Sequence, residues 1–299
     1  MKSVKTYLMS LVFSILLVFL FSGITALIIA DVNLSASQFK NIASDEKIEE
    51  KIYSGLERNY REKSNATGIP SSVYTEHLTA EYLKSVMNEY INAGFKAISS
   101  NEKFSPEIPK NVQLEESIDT FFNNYADETG YKKDENFNKK LDSTKEEAYK
   151  TIGTYSDAFK FSSVSSQGFI SKISYVYTHM ELFIAIIALS IAAIVLLLVF
   201  INKKYKKVTL YWCGISALIS GIIGAVPSIW LIIDRYYDSF SIKQPQVFTA
   251  YTSTFYRITE AFMAAHIAIA AIGITMLVVY CVLCGICKNN VKNPSAIDS

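Results

Sequence analysis

The amino-acid sequence predicts an all-α membrane protein: four transmembrane helices, with a helical-bundle extracytoplasmic domain inserted between the first and second spans. Three observations predict it. Half of the 299 residues are apolar, and they pool into four runs without Lys, Arg, Asp or Glu: residues 7–30, 182–201, 208–233 and 261–287. Lysines cluster in three short segments beside those runs. The long polar region 31–181 repeats its apolar residues at helical spacing, and no six-residue stretch in it alternates as a strand would.

Each apolar run reaches the roughly 20 residues that a helix needs to cross about 30 Å of hydrocarbon. The first follows Lys2 and Lys5 and ends on Ile28-Ile29-Ala30, which has the look of a secretory leader and its cleavage site. Leader apolar cores are roughly 7–15 residues long. This one has 24, so an uncleaved signal anchor is expected.

Charge sorting fixes the expected orientation. The formal net charge of +1 hides 24 acidic against 18 basic side chains in residues 31–181, a net of −6. Segments 1–6, 202–207 and 288–299 together hold eight lysines and one acid, Asp298. Lys and Arg beside spans are retained in the cytoplasm, whereas long domains cross with little regard to charge. Four spans put all three basic segments on one side without contradiction. The expected location is therefore the plasma membrane, with a cytoplasmic N-terminus (1–6), a cytoplasmic hairpin tip (202–207, NKKYKK) and a cytoplasmic C-terminus (288–299). Residues 31–181 and a second loop, 234–260, are then external. A six-residue tip has no interior, so a nucleotide site, a kinase domain or a nucleic-acid-binding helix is excluded there, and its work is to hold topology.

Within 31–181, helix breaks are predicted at Thr67-Gly68-Ile69-Pro70, at Ser105 to Pro109 and at Thr129-Gly130. Leu78, Tyr82, Val86 and Tyr90 form one stripe; Leu114, Ile118, Phe121 and Tyr125 a second; Phe137, Leu141, Ala148, Ile152, Tyr155 and Phe159 a third. Such faces must bury one another, so a bundle follows. Pro70 with Ser71 and Ser72 is the expected start of the second helix, and Pro109 with Asn111 that of the third. Residues 31–54 contain neither Gly nor Pro, so the first span is expected to run straight into the first external helix. The spacing of Phe169, Ile173, Val176, Met180, Phe183 and Ile187 predicts a second helix continuous from the bundle into the next span.

The search for chemistry assigns no catalytic, cofactor-binding or metal residue, and no cofactor. His77 is a lone histidine, whereas zinc wants three or four ligands. The pairs Glu49-Glu50, Glu115-Glu116 and Glu146-Glu147 point about 100° apart on a helix and read as solvated faces. No phosphate-binding, nucleophile-elbow or zinc-protease motif occurs. Asn33-Leu34-Ser35 and Asn65-Ala66-Thr67 match the glycosylation sequon, but the Lys-, Asn-, Ile- and Tyr-rich composition resembles that of a low-GC bacterium. Cys281, Cys284 and Cys287 have a spacing that soft metals accept, with Cys213 near the same membrane face, yet cysteine is also a common small apolar residue.

In the spans, Gly214, Ala217, Gly221, Gly224 and Ser228 form a small-residue stripe, as do Ala261, Ala264, Ala268, Ala271 and Thr275; the two are expected to face one another. His266 is expected to hydrogen-bond near the outer interface, and Pro227 to kink its helix there. No charged group lies in a span, so the polar groups an embedded enzyme needs are not expected. The aromatic loop 234–260 is expected to supply interfacial residues and to pack in part under the bundle.

These readings predict a non-enzymatic protein whose partners are the lipid bilayer and another membrane or envelope protein, with no nucleic acid. Its external domain would bind a ligand or envelope partner in a sensing or accessory role. The alternative is a permease-like subunit of a membrane export system: one span, a large external domain and three further spans resembles, in topology alone, the export permeases that couple to cytoplasmic ATPases.

Overall fold

The computed structural model describes residues 2–292, with side-chain environments for residues 4–285. Its helices are α1 (Lys2–Asn33), α2 (Ala36–Asp45), α3 (Ile48–Thr67), α4 (Ser72–Thr75), α5 (Ala80–Ser100), α6 (Val112–Thr129), α7 (Glu135–Ser156), α8 (Phe161–Ser166), α9 (Phe169–Thr178), α10 (Met180–Ile201), α11 (Lys207–Ile233) and α12 (Pro245–Lys292). No strand occurs among the described residues. The chain divides into two compact units. One is formed by Met1–Asn33, His179–Tyr237 and Tyr256–Ser299, the other by Leu34–Thr178 with Asp238–Phe255. Four helices, α1, α10, α11 and α12, are long and apolar enough to cross a membrane.

In the first unit α1 packs on α10 and α11. The α1–α11 contact is studded with hydroxyls. Ser14 and Ser216 are 2.7 Å apart, and Ser22 and Ser220 are 2.9 Å apart. Ser216 is also within 2.7 Å of the Trp212 carbonyl. At one end, the Asn202 amide donates to Ser10 Oγ and to the Leu198 carbonyl, at 3.1 and 2.9 Å. Side-chain hydrogen bonds of this kind contribute about 0.6 kcal/mol each between helices in lipid. Buried polar side chains line these helices: Ser10, Ser14, Ser216, Ser220, Ser228 and His266. Counting charges passes over the serines because hydroxyls that pair across an interface need none.

The glycine stripe of α11 is a contact face, as expected, but its partner is not the expected one. A β-carbon on Gly221 would lie 2.6 Å from the Ala270 nitrogen, and one on Gly273 2.5 Å from the Leu218 nitrogen. Gly224 abuts the His266 ring. The α12 face is therefore His266, Ala270, Gly273 and Leu277, whereas Ala264, Ala268, Ala271 and Thr275 are exposed. Each contact residue lies two positions beyond a member of the expected stripe, which turns the helix by about 200°. Gly273 decides the face, since it lets the backbones meet where alanine would hold them apart. The α-helical run through Pro227 is unbroken.

Both expected helix continuities are interrupted. α1 stops at Asn33, whose amide donates back to the Ile29 carbonyl at 2.9 Å. Ser35 then caps α2 by accepting from the Gln38 N–H. Asn and Ser offer the backbone local alternatives to the helix, so a stretch lacking Gly and Pro still breaks. The heptad-like run from Phe169 breaks at His179, with φ −106° and ψ 9°. The preceding Tyr175-Val176-Tyr177-Thr178 is aromatic and β-branched, which weakens the helix, and the Thr178 hydroxyl donates to the Ser174 carbonyl.

The second unit buries Ile48, Ile52, Leu56, Leu83, Met87, Ile91, Leu114, Ile118 and Ile152 in one core. The expected breaks occur: Gly68 (φ 72°) closes α3, Gly130 (φ 69°) closes α6, and Asn111 caps α6 by accepting from Leu114. The second long helix starts later than expected. Pro70 and Ser71 open only the four-residue α4, and α5 is capped by Thr79, which accepts from Tyr82. α7 ends at Ser156, so Phe159 reaches the core from a turn rather than from the helix stripe. Residues 234–260, read as a loop, become helical at Pro245, a residue suited to a first helical position. Part of this segment packs into the bundle as expected, with Ala250 in its core, Tyr251 donating to the Phe159 carbonyl at 3.1 Å and Lys51 donating to Thr249 at 2.8 Å.

Replacing Gly273 by Leu is expected to cost about 1–3 kcal/mol by overpacking the α11–α12 contact, and Ala264→Leu, on the exposed face, to cost under about 0.5 kcal/mol. Thermal unfolding of the detergent-solubilised protein, followed by tryptophan fluorescence, separates the two.

Candidate functional site

A cleft of about 970 Å³ lies within the second unit, between the end of α3, α4, α6 and α7. Local structure explains its walls. Gly68 takes the left-handed conformation that ends α3, which turns the chain so that Tyr74 of α4 stacks on Tyr60 of α3, with centroids 4.3 Å apart and planes 9° apart. Gly130 does the same after α6 and leads into Tyr131. Asp134 then caps α7 by accepting from the Asn136 and Phe137 N–H groups, and Phe137 is the first apolar residue of that helix.

Seven rings line the cleft: Tyr60, Tyr74, Phe121, Phe122, Tyr125, Tyr131 and Phe137. Phe122 packs on Phe137 and Phe121 edge to face, at 6.2 and 6.0 Å. Tyr60, Tyr74 and Phe137 are buried, whereas Tyr125 and Tyr131 are 55% and 43% exposed at the mouth. Exposed rings beside buried ones give a surface ready to cover an apolar body. The polar part consists of Lys63, Lys139, Lys140, Glu147 and hydroxyls. Glu147 lies 3.8 Å from Lys63 and 3.7 Å from Lys150. Lys139 pairs with Glu135 at 2.8 Å. Lys140 sits 5.6 Å over the Tyr131 ring. The Tyr60 and Thr144 hydroxyls are engaged with the Ala148 and Lys140 carbonyls.

Of the acidic, histidine and cysteine residues singled out in the sequence, only Glu147 lines this cleft. His77 lies along a separate, shallow polar recess of about 580 Å³ with Gln113, Glu116 and Ser117. The acidic pairs divide between environments: Glu115, half-buried, accepts from the Tyr149 hydroxyl at 2.8 Å, and its neighbour Glu116 lines the recess. Cys213 is buried beside Leu17, Leu198 and Trp212, while Cys281 and Cys284 are exposed. The Cys287 side chain and residues 293–299 lie outside the described residues. His266 is fully buried and does hydrogen-bond, through Nδ1 to the Phe262 carbonyl at 2.9 Å. Its Nε2 has no hydrogen-bond partner among the described residues and packs against Gly224.

Comparison with known proteins gives no match: no family model, no curated protein and no solved structure corresponds to this chain.

Burial pushes the Tyr74 hydroxyl up to about 12. Tyr60 and Tyr82 are raised further, by burial first and then by neighbouring Tyr74 and Tyr149 respectively. The cleft floor is therefore uncharged at any physiological pH. Because the folded values exceed the unfolded value of about 10, stability is complete below pH 10 and falls as pH rises through 10 to 12, where the unfolded chain ionises first. Circular dichroism against pH should show this alkaline transition, and Tyr74→Phe should move its midpoint upward.

Proposed function

We propose that this chain is a non-enzymatic, multi-pass plasma-membrane protein with both termini in the cytoplasm, whose helical domain lies outside and binds a ligand or an envelope partner in a sensing or accessory role. The observation that carries the reading is the aromatic cleft. Its rings, three ammonium groups and one carboxylate already held between lysines are groups that bind and orient. The charge asymmetry of the chain supports the orientation: the three short basic segments flank apolar helices, and the domain with the cleft is acidic overall.

The short connection between α10 and α11 supports a topological role for NKKYKK. Asn202 ends α10, Lys203–Tyr205 form a single 3₁₀ turn, and the Lys207 ammonium donates to the Leu283 carbonyl at 2.9 Å. A segment this short, tied at both ends, offers a cytoplasmic ATPase little to grip. That observation favours a binding protein over an export permease. α12 contributes residues to both units, giving a covalent route by which occupancy of the cleft reaches the apolar helices.

The orientation is tested in cells with a cysteine-free background and a membrane-impermeant thiol reagent. A cysteine at Lys133 should be labelled on intact cells, and one at Lys204 only after permeabilisation; the reverse pattern overturns the reading. Binding is tested by a photo-crosslinking residue at Tyr125, which should give a discrete adduct by mass spectrometry in the native membrane. A single adduct, of any chemistry, supports a binding cleft, and its absence together with an unshifted co-purification profile counts against one.

A further inference from the structure

We propose that the cleft selects a small amphipathic anion: a flat or branched apolar body laid on the rings, and one compact acidic head, carboxylate, sulfonate or phosphate, met by Lys63 and Lys140. This deepens the reading of the cleft as a binding site and rests on it.

Sign is the first argument. The unit that contains the cleft, residues 34–178 and 238–255, carries 23 acidic and 19 basic side chains. The cleft lining inverts that balance, with three lysines and one glutamate. A site lined against the charge of its own domain attracts the opposite ion from the one the domain as a whole attracts. A cationic ligand, which an aromatic surface alone would suit, meets a position already filled: the Lys140 ammonium occupies the Tyr131 face at 5.6 Å. Lys140 forms no ion pair among the described residues. The pair between Lys63 and Glu147 is long, at 3.8 Å, and its side chains are 46% and 58% exposed, so it yields to a better acceptor at little cost.

Donor geometry is the second argument. The hydroxyls of Tyr60 and Thr144 are committed to backbone carbonyls. The charged donors of the lining are ammonium groups, which act as point charges and pair with any compact anion. Volume is the third. About 970 Å³ lies at the upper end of sites for drug-sized molecules, so the body is larger than a single ring. Salt follows from sign: ammonium groups at an open mouth are screened within about 10 Å at 0.1 M ionic strength, so affinity for the anion should fall as salt rises.

The test uses the full chain in phosphatidylcholine nanodiscs, with empty nanodiscs as the blank, and three probes of one shape: 2-naphthoate, 2-naphthylmethanol and 2-naphthylmethylammonium. Titration calorimetry and saturation-transfer NMR should show naphthoate binding about tenfold more tightly than the ammonium probe, the difference one charge-assisted contact supplies. The double variant Lys63→Gln/Lys140→Gln should bring naphthoate down to the neutral probe while leaving the melting temperature unchanged. Tyr125→Ser should weaken all three probes alike. Equal or tighter binding of the ammonium probe, or naphthoate affinity untouched by the lysine changes, overturns the anion proposal while leaving the cleft as a site, provided Tyr125→Ser still lowers binding. No binding of any probe, or binding that neither variant changes, overturns the proposal and the reading of the cleft together.

Discussion

The four-helix unit depends on α11 being thin on two sides. In lipid there is no hydrophobic drive between helices, so contact must come from close approach and interhelical hydrogen bonds. α11 supplies both. Toward α1 it presents Ser216 and Ser220, which pair with Ser14 and Ser22. Toward α12 it presents Gly214, Gly221 and Gly224, which admit the backbone and side chains of His266, Ala270 and Gly273. Glycine in a helix interior costs about 1 kcal/mol relative to alanine. That cost is tolerable here because many dispersion contacts replace it. The second unit works by the opposite rule. Its helices carry charged outer faces, and its stability comes from removing Ile48, Ile52, Leu56, Leu83 and their neighbours from water.

Much of this architecture is legible in the sequence wherever the signal is local. Four uncharged runs gave the four apolar helices, and glycines 68 and 130 and Asn111 marked real helix ends. Four other helix boundaries share a cause that the sequence does not display. Lys47, Asn101, Lys160 and Arg235 hold positive φ without being glycine, at 49°, 51°, 55° and 49°. A left-handed conformation costs a side-chain-bearing residue roughly 1–2 kcal/mol, which no propensity predicts and which packing elsewhere offsets. The misplaced face of α12 has a different cause. Alanine recurs all round that helix, so a stripe of alanines carries little information. Gly273 and His266, one residue smaller than alanine and one that must find polar company, were the informative positions.

The cleft was not legible, although three of its seven rings lay on predicted stripes. Phe121 and Tyr125 continued the stripe of Leu114 and Ile118, and Phe137 opened the stripe of Ala148 and Ile152. Periodicity reports which residues share a helix face. It does not report where neighbouring helices diverge and leave part of that face uncovered. Leu114 and Ile118 are covered, Phe121 is half so, and Tyr125 lies open. Tyr60 and Tyr74 join them only because a glycine turn folds one segment back on the other. A run of aromatic residues at the end of an otherwise aliphatic stripe is the one local hint, and it arises at bundle ends of every kind.

The fit between His266 and Gly224 has a further consequence for how this chain can change over generations. A carbonyl can only accept, so Nδ1 carries a proton and donates it to Phe262, and the other nitrogen is pressed against a residue with no side chain. Any mutation at position 224 adds atoms where the ring already stands, and any exchange of the ring for a smaller group leaves a hole beside a glycine. Neither position drifts freely alone. Their histories are bound together, and a lineage that loses the imidazole gains, in the same step, permission to enlarge its neighbour.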